Sequence, residues 1–333
     1  MTASSLTRTR LAGIAALAVA GIVALAGCSS SAAEPKADDD TTASAGWPRT
    51  FENADGTETE IPAQPERILS TSVSVTGTLL TIDAPVVASS GAANGAFFAQ
   101  WADIADERGV APLWGAGSFD PESVIAEDPD LIVVSTTGAD SVVDRLEALQ
   151  DIAPTIVVDY GGQTWQELAA RLGEATGLEA EAEAAVADFD ALVSETADAI
   201  EIPAGTANIV SFNGPGQDNP IARIGGAHAD LLSALGFEIE DPDVAWHTQP
   251  QERADFVFAP YEKLTELAGE TTFILSADDE TARAGFAADP VLANVPSVAA
   301  GQVYGLGANS FRMDSFSAAE IVEGIAASFS SEG

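Results

Sequence analysis

The feature that most constrains the fold is an alternation that runs twice along the chain. Between residues 50 and 160 the short apolar runs ILSTS (68–72), PVVAS (85–89), LIVVS (131–135) and TIVVD (155–159) alternate with helix-like patterns such as SVVDRLEALQ. Alternation of this kind predicts βα units around a mostly parallel sheet. LIVVS is apolar at nearly every position, as a strand covered by helices on both faces must be. Beyond Pro203 the pattern restarts with NIVSF (208–212), the helix-like HADLLSALG, DFVFA (255–259), TFILS (272–276) and VYGLG (303–307). The expected class is α/β, with two Rossmann-like lobes. A chain of 333 residues is also longer than one hydrophobic core usually serves.

The stretch between the two alternations has its own character. Thr164 and Glu167 form a T-x-x-E capping box that opens a helix carrying Leu168 and Leu172 and stopping at Gly177. From Leu178 to Ile200 there is no Gly or Pro, and Leu178, Ala182, Val186, Phe189, Val193 and Ile200 recur at helical intervals among acids. At 1.5 Å per residue such a helix is roughly 34 Å long, enough to join two lobes as a strut; the plainer alternative is a core helix. The expected divisions are an N-terminal lobe (47–177), an interlobe helix (178–200) and a C-terminal lobe (201–333).

The N-terminus reads as an address. Arg8 and Arg10 precede an apolar run from Leu11 to Ala26, shorter than the about 20 residues of a spanning helix, which is a signal peptide's layout. Cys28, the only cysteine, follows Leu25, Ala26 and Gly27 and resembles the bacterial lipobox, where the cysteine is acylated and becomes the first mature residue. A buried or unpaired thiol is the alternative. Residues 1–27 are then a lipoprotein signal peptide and 28–46 a flexible acidic tether, leaving the protein anchored to the outer face of the cell membrane through lipid on Cys28. A single cysteine allows no disulfide within the chain.

The charge balance excludes a class of partners. With 13 basic and 52 acidic residues the formal net charge is −39, opposite to what nucleic acid requires. An acidic surface of this kind serves solubility. Enzyme readings find little support, because the only histidines are His228 and His247, and no G-x-S-x-G, G-x-G-x-x-G or phosphate-loop spacing occurs. No catalytic residue is expected. The H-x-H and H-E-x-x-H spacings of metal sites are absent too, so no metal is expected on the protein's own side chains.

What stands out is a set of aromatic and cationic residues near predicted strand ends: Trp114 in PLWGAG, Arg223 in IARIGG, Trp246 and His247 in VAWHTQ, and Arg312 in SFRMDSF. Ligands of open α/β sheets collect in the loops past the strands' carboxyl ends. A core Trp and an Arg paired with a nearby acid, such as Arg312 with Asp314, are the plainer readings. The halves also echo each other: Glu122 lies nine residues before Leu131, and Glu262 ten before Thr272. Ordinary helix-start glutamates would look the same.

Several stretches, WPRTF, PERILSTSVSVTGTLLTIDAPVVASSG, DPDLIVVSTTGADS, IAPTIVVDYGGQTWQELAARLGEATG and VYGLGANSFRMDSFSA, resemble the ferric-enterobactin periplasmic binding proteins, from about Trp47 to Phe329. The resemblance implies a monomeric substrate-binding component of an iron–siderophore ABC importer, with two α/β lobes joined by one long helix and a ligand cleft between them. It implies no enzyme activity and no cofactor: the ligand is an Fe(III)-siderophore whose own catecholates hold the iron. It implies a lipid anchor in Gram-positive relatives, in agreement with Cys28, and docking on the permease dimer through one glutamate per lobe, at Glu122 and Glu262. Arg312 matches the family's C-lobe arginine in F-R-x-D. Two places depart: the loop SGAANGAFFAQ lacks the family's N-lobe arginine, and the C-lobe tryptophan is replaced near Ile221 to Arg223. Arg223 and Trp246 then compensate, or the ligand is a smaller or less charged catecholate or mixed-ligand siderophore. Two other readings are a same-fold receptor for haem or cobalamin, held by His228 or His247, and an anchored extracellular hydrolase.

Overall fold

The computed structural model describes residues 46–330, so the expected signal peptide, Cys28 and nearly all of the tether lie outside the described residues. A short antiparallel hairpin, β1 (Arg49–Glu52) and β2 (Glu58–Ile61), leads into the first sheet. That sheet is built from β3 (Ile68–Ser70), β4 (Val86–Gly91), β5 (Ala111–Gly115), β6 (Leu131–Ser135) and β7 (Thr155–Val158), in the order β5-β4-β3-β6-β7 and parallel throughout. Its crossovers carry α1 (Val73–Thr81), α2 (Ala99–Glu107), α3 (Pro121–Ala126) and α4 (Leu146–Gln150). Every residue of β6 and β7 is buried, which is why LIVVS and TIVV read as continuous apolar runs.

The second sheet contains β8 (Thr206–Val210), β9 (Asp218–Ala222), β10 (Glu238–Ile239), β11 (Phe256–Pro260), β12 (Thr271–Ile274) and β13 (Val303–Gly305). Its order is β11-β9-β8-β12-β13, with β10 also paired to β8. With the two-residue β10 left out of the count, both sheets run 3-2-1-4-5 from their first strands. The α/β class with two sheets is as the sequence predicts. One strand departs from the parallel pattern, since β9 is antiparallel to β8 and β11. The link from β8 to β9 is residues 211–217, too short for the crossover of about a dozen residues that a parallel pair needs. Both β5 and β9 escape the sequence reading because each contains a proline, Pro112 or Pro220, which argues against a strand.

Between the sheets run α5 (Trp165–Thr176) and α6 (Glu179–Ala199). The Thr164–Glu167 capping box starts α5, and Gly177 ends it in the left-handed region at φ 73°. With 21 residues α6 is about 31 Å long. It buries Ala182, Phe189 and Val193, and Phe189 meets Trp165 edge-on at 5.2 Å between ring centroids. The remaining helices are α7 (Ala227–Ala234), α8 (Asp279–Ala282), α9 (Pro296–Ala300) and the closing α10 (Ser315–Phe329). One apolar cluster runs from Val133 and Ile156 of the first sheet, through Trp165 and Phe189, to Ile325 of α10 and Ile209 and Phe273 of the second, and two smaller clusters each serve one sheet. No described helix is long and apolar enough to cross a membrane.

The last helix reaches back to the first lobe. At the start of α10 the Ser315 and Thr81 hydroxyls bond to each other, and the Gln100 amide donates to the Asp314 carboxylate at 3.0 Å. This approach requires Gly77 of α1: a Cβ there would stand 2.9 Å from the Asp314 carboxylate and 3.0 Å from the Trp101 ring.

Candidate ligand-binding cleft

The carboxyl ends of β8 and β12 open into a cavity of about 550 Å³. Phe212, Phe258, Phe286 and Phe311 line it, with Ser211 and Ser276 at the strand ends. Ser276 stands in the left-handed region at φ 55°, and its backbone N–H donates to Ser310 Oγ at 2.9 Å. That bond ties the end of β12 to the segment carrying Arg312.

Arg312 is held at both flanks and free at its tip. On one side Ser310 carbonyl accepts a 2.8 Å hydrogen bond from His228 Nε2, and the Phe311 ring stacks on Phe256 at 5.7 Å and 15°. On the other, Asp314 caps α10 by accepting from Ser317 N at 2.9 Å. Asp314 is buried, and burial pushes its carboxyl upward against the hydrogen bonds of Ser317 and Gln100. The plain pairing of Arg312 with Asp314 is therefore not what forms. The guanidinium lies instead 5.8 Å from the Phe98 ring, in the loop SGAANGAFFAQ of the first lobe, and makes no ion pair with any described carboxylate.

A second cation, which sequence reasoning missed, is Arg253. Its guanidinium grips Asp255 through two bonds of 2.8 and 2.7 Å and lies 5.8 Å from the Phe258 ring. Burial pushes the Asp255 carboxyl up, but the hydrogen bonds and charge of Arg253 hold it below its usual value. The R-A-D spacing was the available signal, since i and i+2 neighbours in extended chain share a face.

The first lobe contributes Tyr160, just past β7. Its phenol is raised above its ordinary value by burial first, opposed by Ser74, raised again by the Asp140 carboxylate, and lowered by Arg312. Arg253 is held above its ordinary value by the Asp255 hydrogen bond first, against burial, and then by the charges of Asp255 and Tyr160. The Tyr160 hydroxyl donates to Asp140 Oδ1 at 3.2 Å. Asp140 is buried because its other oxygen serves the N-terminus of α1, accepting from Ser72 Oγ at 2.6 Å and Ser74 N at 3.1 Å.

The other expected ligand residues fall elsewhere. Trp114 lies within β5, not in a loop: it is 7% exposed and packs edge-on against Phe119 at 5.1 Å, in a buried cluster with Ile132 of β6 and Leu149 of α4. The expectation that it lines the cleft is corrected, because the unrecognised strand turns it into the core. Arg223 directly follows β9 and donates to the Arg253 carbonyl at 3.1 Å, with Asp241 4.0 Å away, so it braces the Arg253 loop. Trp246 sits in the 3-10 turn Val244–Trp246, half-buried, with the Lys263 ammonium 5.6 Å from its ring. His247 uses both ring nitrogens: Nδ1 accepts from Phe258 N at 3.1 Å and Nε2 donates to the Gln251 carbonyl at 2.9 Å. That pins the loop carrying Arg253. His228 is 5% exposed, and burial lowers its pKa.

Glu122 and Glu262 are both exposed. Glu122 is in the first turn of α3 and Glu262 in the 3-10 turn Tyr261–Glu266. Each follows its sheet's edge strand, β5 or β11, and leads into the strand beside the first, β6 or β12. The two positions are topologically equivalent.

Comparison with known proteins agrees with this architecture. Residues 68–310 match the family model described as periplasmic binding protein. The ferric enterobactin-binding periplasmic protein FepB of Escherichia coli O6:H1 (strain CFT073) is 35% identical over 295 residues, covering 86% of this chain and 92% of that protein. The "probable siderophore-binding lipoprotein" YfiY of Bacillus subtilis (strain 168) is 22% identical over 265 residues, 79% of this chain and 78% of YfiY. The crystal structure of holo-ViuP superposes with a TM-score of 0.82 at 53% identity, covering 86% of this chain and 96% of ViuP. With two sheets of one strand order, a shared core and a cation-rimmed cavity at the strand ends, the chain belongs to the periplasmic binding proteins, a family of substrate-binding proteins and not of enzymes.

Proposed function

We propose that this protein is the extracytoplasmic receptor of an ABC importer and that its cargo is a ferric siderophore of catecholate type. The observation that carries the reading is Arg312, a guanidinium that pairs with no described carboxylate, standing like Arg253 beside an aromatic-walled cavity. A ferric tris-catecholate is anionic and aromatic at once, so cations and ring faces together suit it. FepB is named for a ferric enterobactin ligand and YfiY for a siderophore, and both support the class. The siderophore's oxygens hold the iron, and the protein binds and releases the complex without a chemical step.

In this reading the binding unit comprises the lobes at 47–177 and 201–333 with the joining helix at 178–200. Arg312, Arg253, Tyr160 and Phe98 face the chelate, while Arg223 and His247 hold the Arg253 loop in place. Arg253, with Phe98 opposite Arg312, stands in for the arginine missing from SGAANGAFFAQ, which favours a cargo other than enterobactin itself. Lipid on Cys28 keeps the monomer at the outer face of the cell membrane, and YfiY's description as a lipoprotein supports the anchor. Glu122 and Glu262 meet the permease dimer. Neither histidine favours haem, since His247 has both nitrogens engaged and His228 is buried beneath the Arg312 loop.

Titration with ferric enterobactin and ferric tris(2,3-dihydroxybenzoate), read by quenching of tryptophan fluorescence, tests the site. Arg312→Ala is expected to weaken binding about 10- to 100-fold, the loss of one charged hydrogen-bonding partner. Unchanged affinity in that variant would refute the assignment.

A further inference from the structure

The cavity behind the two arginines has a property that the charge of the chain makes unexpected. The chain holds 52 acidic residues, yet the cavity is lined by Phe, Ser, Asn, Thr and aliphatic side chains and by no ionisable one. Two of the acids beside it in sequence are tied elsewhere. Asp278 caps α8 by accepting from Thr281 N at 2.8 Å, and Asp279 accepts from Gly305 N at 2.8 Å and pairs with Arg283 at 2.5 Å. The walls are ring faces and edges, with Phe212 against Phe286 at 5.4 Å and 84°.

The cations stand at the rim and not inside. Arg253 lies over the Phe258 ring, and Arg312 directly follows Phe311, both rings being cavity wall. A catecholate pushed into the cavity would lose water and gain no charged partner, whereas an uncharged aryl group gains from leaving water.

We infer that this cavity is a subsite for one uncharged, aryl-bearing limb of the siderophore, so that the cargo is asymmetric, with its anionic iron chelate at the arginine rim and a neutral arm buried behind it. The inference rests on the siderophore reading above and names the ligand class within it.

Gly285 supplies the means to test it. A Cβ at this lining position would meet the Phe212 ring at 3.6 Å, an ordinary contact, so a larger side chain grows into the cavity without displacing backbone. The probes are two synthetic ferric bis-catecholates that differ only in an N-benzyl or an N-methyl limb. The wild-type protein is expected to bind the benzyl compound about tenfold or more tightly than the methyl one. Gly285→Leu should bring that ratio close to one while leaving methyl affinity within about twofold. Arg312→Ala should weaken both probes and keep the ratio. Equal binding of the two probes by wild type overturns the subsite, as does a benzyl preference that survives Gly285→Leu or a Gly285→Leu loss shared equally by both probes. If wild type binds neither probe, or Arg312→Ala leaves both affinities unchanged, the siderophore site itself is wrong and the subsite falls with it.

Discussion

At the scale of single residues, the cleft depends on side chains whose partners lie far away in sequence. His228 bonds to the Ser310 carbonyl 82 positions on, two residues before Arg312. Burial lowers its pKa below 6.5, against the weaker pull of that carbonyl and of Asp255. The folded state therefore refuses a proton that the unfolded state accepts, so stability is lost as pH falls through and below about 6.5. The slope is at most about 1.4 kcal/mol per pH unit for one proton. His228→Gln keeps a donor for Ser310 without the titration, so the drop in Tm between pH 7 and pH 5 should be smaller than in wild type. Identical pH dependence in the two proteins would show that His228 does not carry it.

At the scale of elements, α10 links the segment bearing Arg312 to the first lobe. Its start is capped by Asp314 and tied to α1 and α2 through Thr81 and Gln100. Glycine inside a helix is ordinarily a weakness of about 0.5–1 kcal/mol relative to alanine. At Gly77 the sign should reverse, because the added methyl meets the buried Asp314 carboxylate and Trp101 ring. Gly77→Ala is expected to destabilise by about 1–3 kcal/mol in urea denaturation. A variant as stable as wild type would mean that α1 and α10 have room to part.

For the whole molecule, the decisive property is that one apolar core serves both sheets through α5, α6 and α10. Moving the lobes far apart would expose that core, so capture and release are expected to involve small displacements at the cleft. A receptor that changes shape little must be recognised through its outer surface, which is the task proposed for Glu122 and Glu262. The double variant Glu122→Ala with Glu262→Ala should bind ferric catecholate like wild type and lose uptake in cells. Normal uptake by the double variant would remove the docking role.

The elements were legible in the sequence where local signals agree. LIVVS and TIVV, the Thr164 capping box and the Gly-free run into α6 all follow from periodicity and capping, which neighbouring residues alone dictate. Pro112 and Pro220 hid β5 and β9, and with β5 went the placing of Trp114, since a strand assigns alternate residues to opposite faces. Arg312 was visible as a candidate because it follows a strand in a chain poor in cations. That it pairs with no described acid and lies opposite Phe98 was decided only by the tertiary structure. Pairing between charges distant in sequence depends on which strands are neighbours and which helix ends claim the acids. No local pattern encodes that Asp140 belongs to the N-terminus of α1, 66 positions away.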